Sequence, residues 1–186
     1  MGERKKELQM IYVIGLGSNL DSKYGDQYQT LKKSIDLIKL ENIEVMKVSK
    51  LYVTEPVGMT KVNWFLNAAI IISTSLKPNK LIVVLKEIER KMGREMHGLN
   101  MSRPCDLDIL LSDKNKEIRI LSGKYPITIP HKKLHQRMFV LRPLMDICPD
   151  LIHPVCGKTI KNIISSLNSH EKITLYNKKL WYFGYF

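Results

Sequence analysis

Cysteine is scarce in this sequence, and so are the long apolar runs that membrane proteins need. The 186 residues include three cysteines, Cys105, Cys148 and Cys156, an odd number without a CxxC spacing. This pattern favours reduced thiols over a disulfide framework or a zinc site. No apolar run approaches the roughly 20 residues of a membrane-spanning helix, and the start MGERKKELQM lacks the apolar core of a secretory signal. We therefore expect a cytoplasmic protein that has no membrane partner.

The sequence motifs of several large enzyme classes are also missing. There is no GxxxxGK[ST] phosphate-binding loop, and Gly15-Leu16-Gly17-Ser18 is not a GxGxxG dinucleotide fingerprint. Neither GxSxG nor HExxH occurs. Hydrolase triads and zinc proteases are therefore not supported.

The composition that remains is that of a globular protein with an excess of positive charge. Hydrophobic residues make up 44% of the chain and charged residues 26%, and a chain of this length buries roughly 70% of its unfolded surface. Such a chain folds as one domain without a metal or a disulfide. Lysine and arginine number 30 against 18 acidic residues, a net charge of +12. This charge favours anionic partners, but it does not choose among nucleic acid, acidic membranes and nucleotide polyphosphates.

The hydrophobic pattern predicts an α+β fold. Its elements follow the order strand, helix, strand, strand, helix, strand, over residues 11–16, 27–40, 43–53, 65–75, 78–92 and 105–111. That order is typical of a ferredoxin-like βαββαβ core with both helices on one face of the sheet. Two further helices, near 139–148 and 159–167, follow a loop punctuated by proline. We therefore predict additional C-terminal strands and helices and a three-layer α/β/α arrangement.

An acidic pair lies on the last strand of this predicted core. Alternation along a strand places Asp106 and Asp108 on one face, about 6.6 Å apart. Two carboxylates at this spacing repel each other unless a cation lies between them, and Mg²⁺ is the natural occupant when phosphate oxygens complete its coordination. Such a tripeptide is common, however, and its simplest interpretation is a solvent-facing pair neutralised by lysines.

Basic residues lie close to this pair in sequence. Arg94, Arg103 and Arg137 could bind phosphate oxygens in bidentate fashion, and His131 could donate to a phosphate near neutral pH. Taken singly, each arginine is more simply a solvated surface charge, and His131 is a residue that caps a loop. The sequence pattern alone leaves both interpretations open.

Four other residues have two interpretations each. Glu89, beside the apolar stripe of its helix, is either an exposed ion-pair partner or a ligand of a nucleotide or an arginine. Asn67 begins the most hydrophobic strand, where a buried amide without partners is costly. It therefore lies at the rim or recognises the edge of a flat heterocycle. Phe65 and Phe139 are core residues or stacking platforms.

These residues also belong to an ordered set of motifs. The set comprises Gly17-Ser18-Asn19, Thr54-x-Pro56-x-Gly58, Phe65-Leu66-Asn67-Ala68, Glu89-x-x-x-Gly93-Arg94, Arg103-x-x-Asp106-Leu107-Asp108-Ile109, Ile129-Pro130-His131 and Arg137-x-Phe139. It resembles the 6-hydroxymethyl-7,8-dihydropterin pyrophosphokinase family from about Tyr12 to Leu167. The block around Asp106 and Asp108 is its most specific part. The resemblance implies a pyrophosphokinase domain over residues 11–167, with an N-terminal extension (1–10) and a C-terminal tail (168–186).

The resemblance implies transfer of pyrophosphate from ATP, as co-substrate, to the hydroxymethyl group of the pterin, with release of AMP, in folate biosynthesis. Two Mg²⁺ ions would be held by Asp106 and Asp108, and these aspartates with Arg94 and Arg103 would be catalytic. The ATP contacts implied are Glu89, Arg94, Arg103, Ile109, Thr128, His131 and Arg137. The pterin contacts implied are Thr54, Pro56, Val57, Phe65, Asn67, Asp106 and Phe139. Glu55 departs from the family pattern, because it stands where a proline is often found.

Two alternative functions remain to be distinguished. A palm-type nucleotidyltransferase also places an acidic pair on a ferredoxin-like sheet, but it usually needs another carboxylate near the first strand, and residues 11–16 offer none. An RNA-recognition module would carry an aromatic block on its third strand, whereas FLNAAIIIS holds one aromatic residue. We therefore expect small-molecule substrates, no nucleic-acid partner and a monomer.

Overall fold

A computed structural model describes residues 8–56, 63–94, 102–114 and 116–180. The elements in chain order are β1 (Met10–Ser18), α1 (Gln27–Leu40), β2 (Glu44–Val48), β3 (Tyr52–Thr54), β4 (Phe65–Thr74), α2 (Pro78–Lys91), β5 (Asp106–Ser112), β6 (Ile118–Ile120), β7 (Ile127–Ile129), a 3-10 helix (Leu134–Gln136), α3 (Met138–Ile147), α4 (Ile160–Ser166) and β8 (Ile173–Leu175). None of the described helices has both the length and the apolar character needed to cross a membrane.

The main sheet is antiparallel and has six strands. Its order is β5-β1-β4-β3-β8, and β2 pairs with another part of β4. Strands β6 and β7 form a separate two-stranded ribbon. The ferredoxin-like α+β core is therefore confirmed, with β1 and β4 at its centre.

Two separate apolar cores lie on the two faces of this sheet. Alternate residues of β1, among them Tyr12 and Ile14, pack in one core with buried residues of α1 and α2. Val13 points the other way, into a second core formed with α3 and α4. Because helices cover both faces, the three-layer α/β/α arrangement is confirmed.

The ends of α1 agree with local sequence signals. Asp26 accepts a hydrogen bond of 2.8 Å from the Gln29 N–H, and the Gln29 side chain accepts one of 2.9 Å from the Asp26 N–H. This reciprocal capping box satisfies two N–H groups that a helix leaves unpaired at its start. The predicted helix over 27–40 is therefore confirmed at both ends.

The prediction of one continuous strand over 43–53 is wrong. Two strands, β2 and β3, occupy this segment, and both pair with β4. Ser49 lies between them, where its N–H donates to the Ala69 carbonyl and its hydroxyl accepts from the Ala69 N–H, both at 2.9 Å. The Ala69 N–H is therefore bonded to the Ser49 side chain instead of to a main-chain carbonyl. This exchange interrupts the strand ladder between β2 and β3.

Additional C-terminal strands were predicted, but the hydrophobic pattern did not locate the one in the C-terminal tail. β8 lies within residues 168–180 and forms the edge of the main sheet next to β3. Its sequence, ITL, is too short to be distinguished from a loop by periodicity.

Candidate active site

The aspartate pair lies on the face of the sheet that α3 and α4 partly cover. Leu107 and Ile109 point into the core with α1 and α2, so Asp106 and Asp108 point the opposite way. Across the β1–β5 ladder the two aspartates face glycines, because Asp106 pairs with Gly17 and Asp108 with Gly15.

These glycines keep the space beside the carboxylates open. A Cβ atom at Gly17 would lie 3.1 Å from Asn67 Oδ1, and one at Gly15 would lie 3.1 Å from the Leu110 side chain. Side chains at these two positions would therefore fill the floor of a pocket. The pocket is lined by Gly15, Leu16, Gly17, Thr54, Glu55, Phe65, Asn67, Ala68, Arg103, Asp106, Asp108, Leu110, His131, Arg137, Phe139 and Val140.

Two arginines contact the first aspartate. Arg94 Nη1 lies 2.5 Å from Asp106 Oδ1, and Arg103 Nη1 lies 3.2 Å from Asp106 Oδ2. Burial of Asp106 acts to raise its pKa, but the charges of Arg103, Lys86 and Arg94 outweigh this effect and lower the pKa. Asp106 is therefore an ionised group at neutral pH.

The second aspartate is more open. The Asp108 side chain is 39% exposed, and its nearest cation is Lys86 Nζ at 3.5 Å from Oδ1. It therefore retains free acceptor capacity towards the pocket, since an ionised carboxylate has about four acceptor sites.

The resemblance implies an ATP contact for Glu89, but its carboxylate is 3% exposed and is occupied by protein groups. Oε1 lies 2.7 Å from Lys86 Nζ and accepts a 2.7 Å hydrogen bond from the Leu107 N–H, while Oε2 lies 2.7 Å from Arg94 Nη1. Burial raises the pKa of Glu89, and the two cations act in the opposite direction. Glu89 therefore holds an arginine and links α2 to β5, and its expected ATP contact stays a prediction.

Lys86 is a site residue that the sequence interpretation missed. Its ammonium group contacts Glu89 and Asp108 and also donates to the Leu107 carbonyl at 3.2 Å. Burial acts to lower its pKa, but the carboxylates, Asp108 first, outweigh burial and raise it. The available signal was its position one helical turn before Glu89.

Arg103 is held by the chain segment that follows β1. The side-chain oxygen of Asn19 accepts a 2.7 Å hydrogen bond from the Arg103 N–H, and the Asn19 N–H donates to the Arg103 carbonyl at 3.1 Å. Asn19 is fully buried, so the Gly-Ser-Asn motif anchors the arginine loop. Within the described part of the chain, the buried Nε of Arg103 has no hydrogen-bond partner, which leaves a donor for an anion.

The histidine and the third arginine also line the pocket. His131 Nδ1 accepts from the Lys133 N–H at 3.4 Å, and burial lowers the pKa of the His131 ring. A neutral ring that accepts at Nδ1 carries its proton at Nε2, where it is a donor. The Arg137 guanidinium lies 5.5 Å from the centre of the Phe139 ring.

Two other expected ATP contacts do not line this pocket. The Ile109 side chain is buried in the core with α1 and α2, on the opposite face of the sheet from the aspartates. The strand alternation that exposes Asp108 buries its neighbour, and the expected nucleotide contact at Ile109 stays a prediction. Thr128 lies in the β6–β7 ribbon, opposite Arg119.

The pocket also has an aromatic and amide-lined part beside the aspartates, which we call its aromatic end. Phe65 and Phe139 both line it, and Asn67 Nδ2 donates to Thr54 Oγ1 at 2.7 Å. This bond gives the buried amide nitrogen of Asn67 a partner. The amide oxygen, Asn67 Oδ1, remains available as an acceptor. The sequence interpretation did not select Glu55, which also lines this end.

Two pterin candidates remain, Pro56 and Val57. Pro56 lines a neighbouring groove together with Glu55, Gln136 and residues 167–171. Val57 lies outside the described residues.

The aspartate pair could hold a metal ion together with the phosphates of a substrate. The described residues include no cluster of three or more His, Cys, Asp or Glu side chains suited to a metal. Mg²⁺, however, is commonly held by one or two carboxylates together with substrate phosphates. Asp106 and Asp108, on one face and above two glycines, fit that mode.

The two alternative functions find little support in this geometry. β1 presents glycines beside the aspartate pair, where a palm-type nucleotidyltransferase would need a further carboxylate. Helices cover both faces of the described sheet, so the open aromatic face that an RNA-recognition module uses is absent from it.

Fold and site together define a class of protein. It is an α+β protein whose central sheet carries a carboxylate pair that lies with arginine and aromatic side chains in one pocket. The chain matches the family described as 7,8-dihydro-6-hydroxymethylpterin-pyrophosphokinase (HPPK) over residues 13–149, and it belongs to this family.

The relatives found by sequence agree with this assignment. The chain is 47% identical over 136 residues to a folate synthesis bifunctional protein of Arabidopsis thaliana, covering 73% of this chain and 26% of the plant protein. It is 38% identical over 140 residues to a 2-amino-4-hydroxy-6-hydroxymethyldihydropteridine pyrophosphokinase of Bacillus subtilis, covering 74% of this chain and 78% of that protein. The chain spans about a fifth to a quarter of the length of the plant protein and of two fungal relatives.

The fold is similar to that of solved structures. A crystal structure of wild-type Plasmodium falciparum HPPK-DHPS with pteroate superimposes with a TM-score of 0.69 at 15% identity, covering 87% of this chain and 45% of that chain. At this identity the likeness concerns the fold alone.

Proposed function

We propose that the chain transfers the pyrophosphoryl group of ATP to the hydroxymethyl oxygen of 6-hydroxymethyl-7,8-dihydropterin and releases AMP. Family membership supports the reaction. The observation that carries the assignment of the site is the single pocket in which Asp106, Asp108 and Arg103 lie with Phe65, Asn67 and Phe139. A polyphosphate and a flat heterocycle could thus meet at one surface.

The aromatic and amide end would bind the pterin. Asn67 Oδ1 and the Thr54 hydroxyl are available to form hydrogen bonds with the edge of the ring. The 2.7 Å hydrogen bond that Asn67 Nδ2 donates to Thr54 Oγ1 fixes the orientation of both side chains. Phe65 and Phe139 supply apolar surface for its faces. The charged end of the same pocket would bind the triphosphate of ATP.

Asp106 and Asp108 would hold Mg²⁺, with two ions expected, together with phosphate oxygens. When bound, the metal neutralises phosphate charge and brings the reacting oxygens into line. Asp108 has the free acceptor capacity for this role, and Asp106 would exchange its arginine partners for the cation.

The arginines would stabilise the charge that the reaction moves. The hydroxymethyl oxygen forms a bond to the β-phosphorus and loses its proton to water. The bond from that phosphorus to the α-phosphate oxygen breaks, and its electrons leave with AMP. Arg103 has a buried, unpartnered Nε among the described residues, and His131 can donate from Nε2. Phosphoryl transfer depends mainly on such positioning and charge stabilisation.

A product analysis tests this proposal. The purified chain is incubated with ATP, Mg²⁺ and 6-hydroxymethyl-7,8-dihydropterin, and the nucleotides are separated. We expect AMP that depends on the pterin, disappears with EDTA and returns with excess Mg²⁺. Release of inorganic pyrophosphate with a nucleotidylated product would support nucleotidyl transfer instead, and pterin-dependent AMP that resists EDTA would contradict the metal assignment.

A further inference from the structure

The segment after α4 contacts both walls of the aromatic end of the pocket. The family match ends at residue 149, and this segment lies beyond it. β8 pairs with β3 so that Thr54 is opposite Ile173. One residue beyond that pair, the Glu55 N–H donates to the Lys172 carbonyl at 3.2 Å. The segment therefore supports the wall that carries Thr54 and Glu55.

The residue before Lys172 contacts the other wall. The two carboxylate oxygens of Glu171 accept hydrogen bonds from the N–H groups of Met138 and Phe139, at 3.4 and 3.2 Å. These are the first two residues of α3, and Arg137, which precedes them, provides no side-chain cap. A carboxylate at a helix start is favoured because the unpaired N–H groups there carry partial positive charge.

Two consecutive residues therefore join the two walls. Glu171 contacts the main chain of Phe139, and Lys172 contacts the main chain of Glu55. Both Phe139 and Glu55 line the pocket. The distance between the walls, and hence the fit of a flat ring, depends on this link.

We propose that Glu171 is a positioning residue that sets the geometry of the pterin pocket through the main chain of Phe139. It does not itself line that pocket; it lines the neighbouring groove with Gln136 and Ser169. This inference rests on the proposed function, because it assigns the aromatic end of the pocket to the pterin.

Initial rates of AMP formation test the proposal with two variants and a matched control. Glu171→Ala removes both acceptors, and Glu171→Gln keeps one acceptor oxygen. Asp150→Ala removes the same charge from an exposed position beyond the other end of α3, so it controls for the effect of net charge on ATP binding.

We expect Glu171→Ala to raise the KM for the pterin about ten-fold while the KM for ATP changes less than about two-fold. Glu171→Gln should fall between wild type and Glu171→Ala, and it carries the test if Glu171→Ala does not fold. Asp150→Ala should leave both constants unchanged.

Two results would overturn the positioning role while leaving the proposed function intact. One is a pterin KM in both Glu171 variants equal to that of an active wild type. The other is an equal rise in both KM values together with a lower melting temperature, which would assign Glu171 to general stability. If the wild type itself forms no AMP, the proposed function fails, and the inference that rests on it fails with it.

Discussion

The carboxylate of Glu89, on α2, accepts a 2.7 Å hydrogen bond from the main-chain N–H of Leu107, the residue between the two aspartates of β5. The same oxygen contacts Lys86, and its partner oxygen contacts Arg94. One buried group therefore fixes the strand that carries the acidic pair and a cation that contacts it. This arrangement makes Glu89 a residue of the site framework.

Glu89→Ala should lower the free energy of unfolding by about 3 kcal/mol, because it leaves the Leu107 N–H without an acceptor and removes one of the two carboxylate partners of each of two partly buried cations. Urea unfolding at pH 7 measures the change. Glu87→Ala, on the same helix, is the matched control: Glu87 pairs with Arg90 on the exposed side. That variant should unfold at nearly the wild-type urea concentration. Equal stability of the two variants would contradict a framework role for Glu89.

Asp108→Asn should lower AMP formation at least about 100-fold, because a metal-stabilised charge contributes several kcal/mol to the transition state. Its melting temperature should remain that of the wild type, since the side chain is 39% exposed and its only cation within 4 Å in the described structure is Lys86. Asp113→Asn, just beyond the end of β5, is the control and should keep full activity. Normal turnover by Asp108→Asn would show that Asp108 holds no essential cation.

Asn67→Ala should raise the KM for the pterin roughly five- to ten-fold, the effect of losing about one hydrogen bond to the ring edge. The KM for ATP should stay unchanged, because Asn67 lies at the amide end of the pocket beside Thr54. Steady-state rates with each substrate varied in turn separate the two constants. Asn162→Ala, on the exposed side of α4, should behave as wild type. A parallel rise in the KM for ATP would count against pterin recognition by Asn67.

His153 should make the protein less stable in mild acid. The ring is 2% exposed, and its Nδ1 accepts from the N–H groups of Val155 and Cys156 at 3.3 and 3.4 Å. Burial, with the nearby charge of His135, lowers the pKa of His153 in the folded state. A lowered folded pKa means that the unfolded chain binds the proton more readily. The stability it contributes is therefore complete above the unfolded value of about 6.5 and is lost progressively as the pH falls from that value through the lower folded pKa.

Urea unfolding at pH 7.5 and pH 5.5 measures this dependence. The free energy of unfolding should fall between the two values in the wild type, and it should fall less in His153→Gln. His131, whose pKa is also lowered by burial, remains in the variant, so part of the pH dependence should persist. An identical pH dependence in both proteins would show that His153 does not titrate in this range.

Local sequence signals determined parts of both the fold and the candidate site. The capping box of Asp26 and Gln29 determined the start of α1, and a period of two determined that Asp106 and Asp108 share a face. These features depend on residues within four positions of each other, so a single sequence contains them. The family resemblance predicted that Arg103, His131 and Phe139 belong to the same site as the two aspartates. The structure brings all five residues to one pocket.

Only the tertiary structure decided what each side chain contacts over long distances in sequence. Glu89 is a buried link to β5 because α2 packs against that strand, Ile109 faces the opposite core, and β8 exists because β3 offers it an unpaired edge. Glu171 reaches Phe139 across 32 positions of the chain. Such contacts depend on strand register and helix packing, which are set by the summed burial of the whole core rather than by any local run of residues.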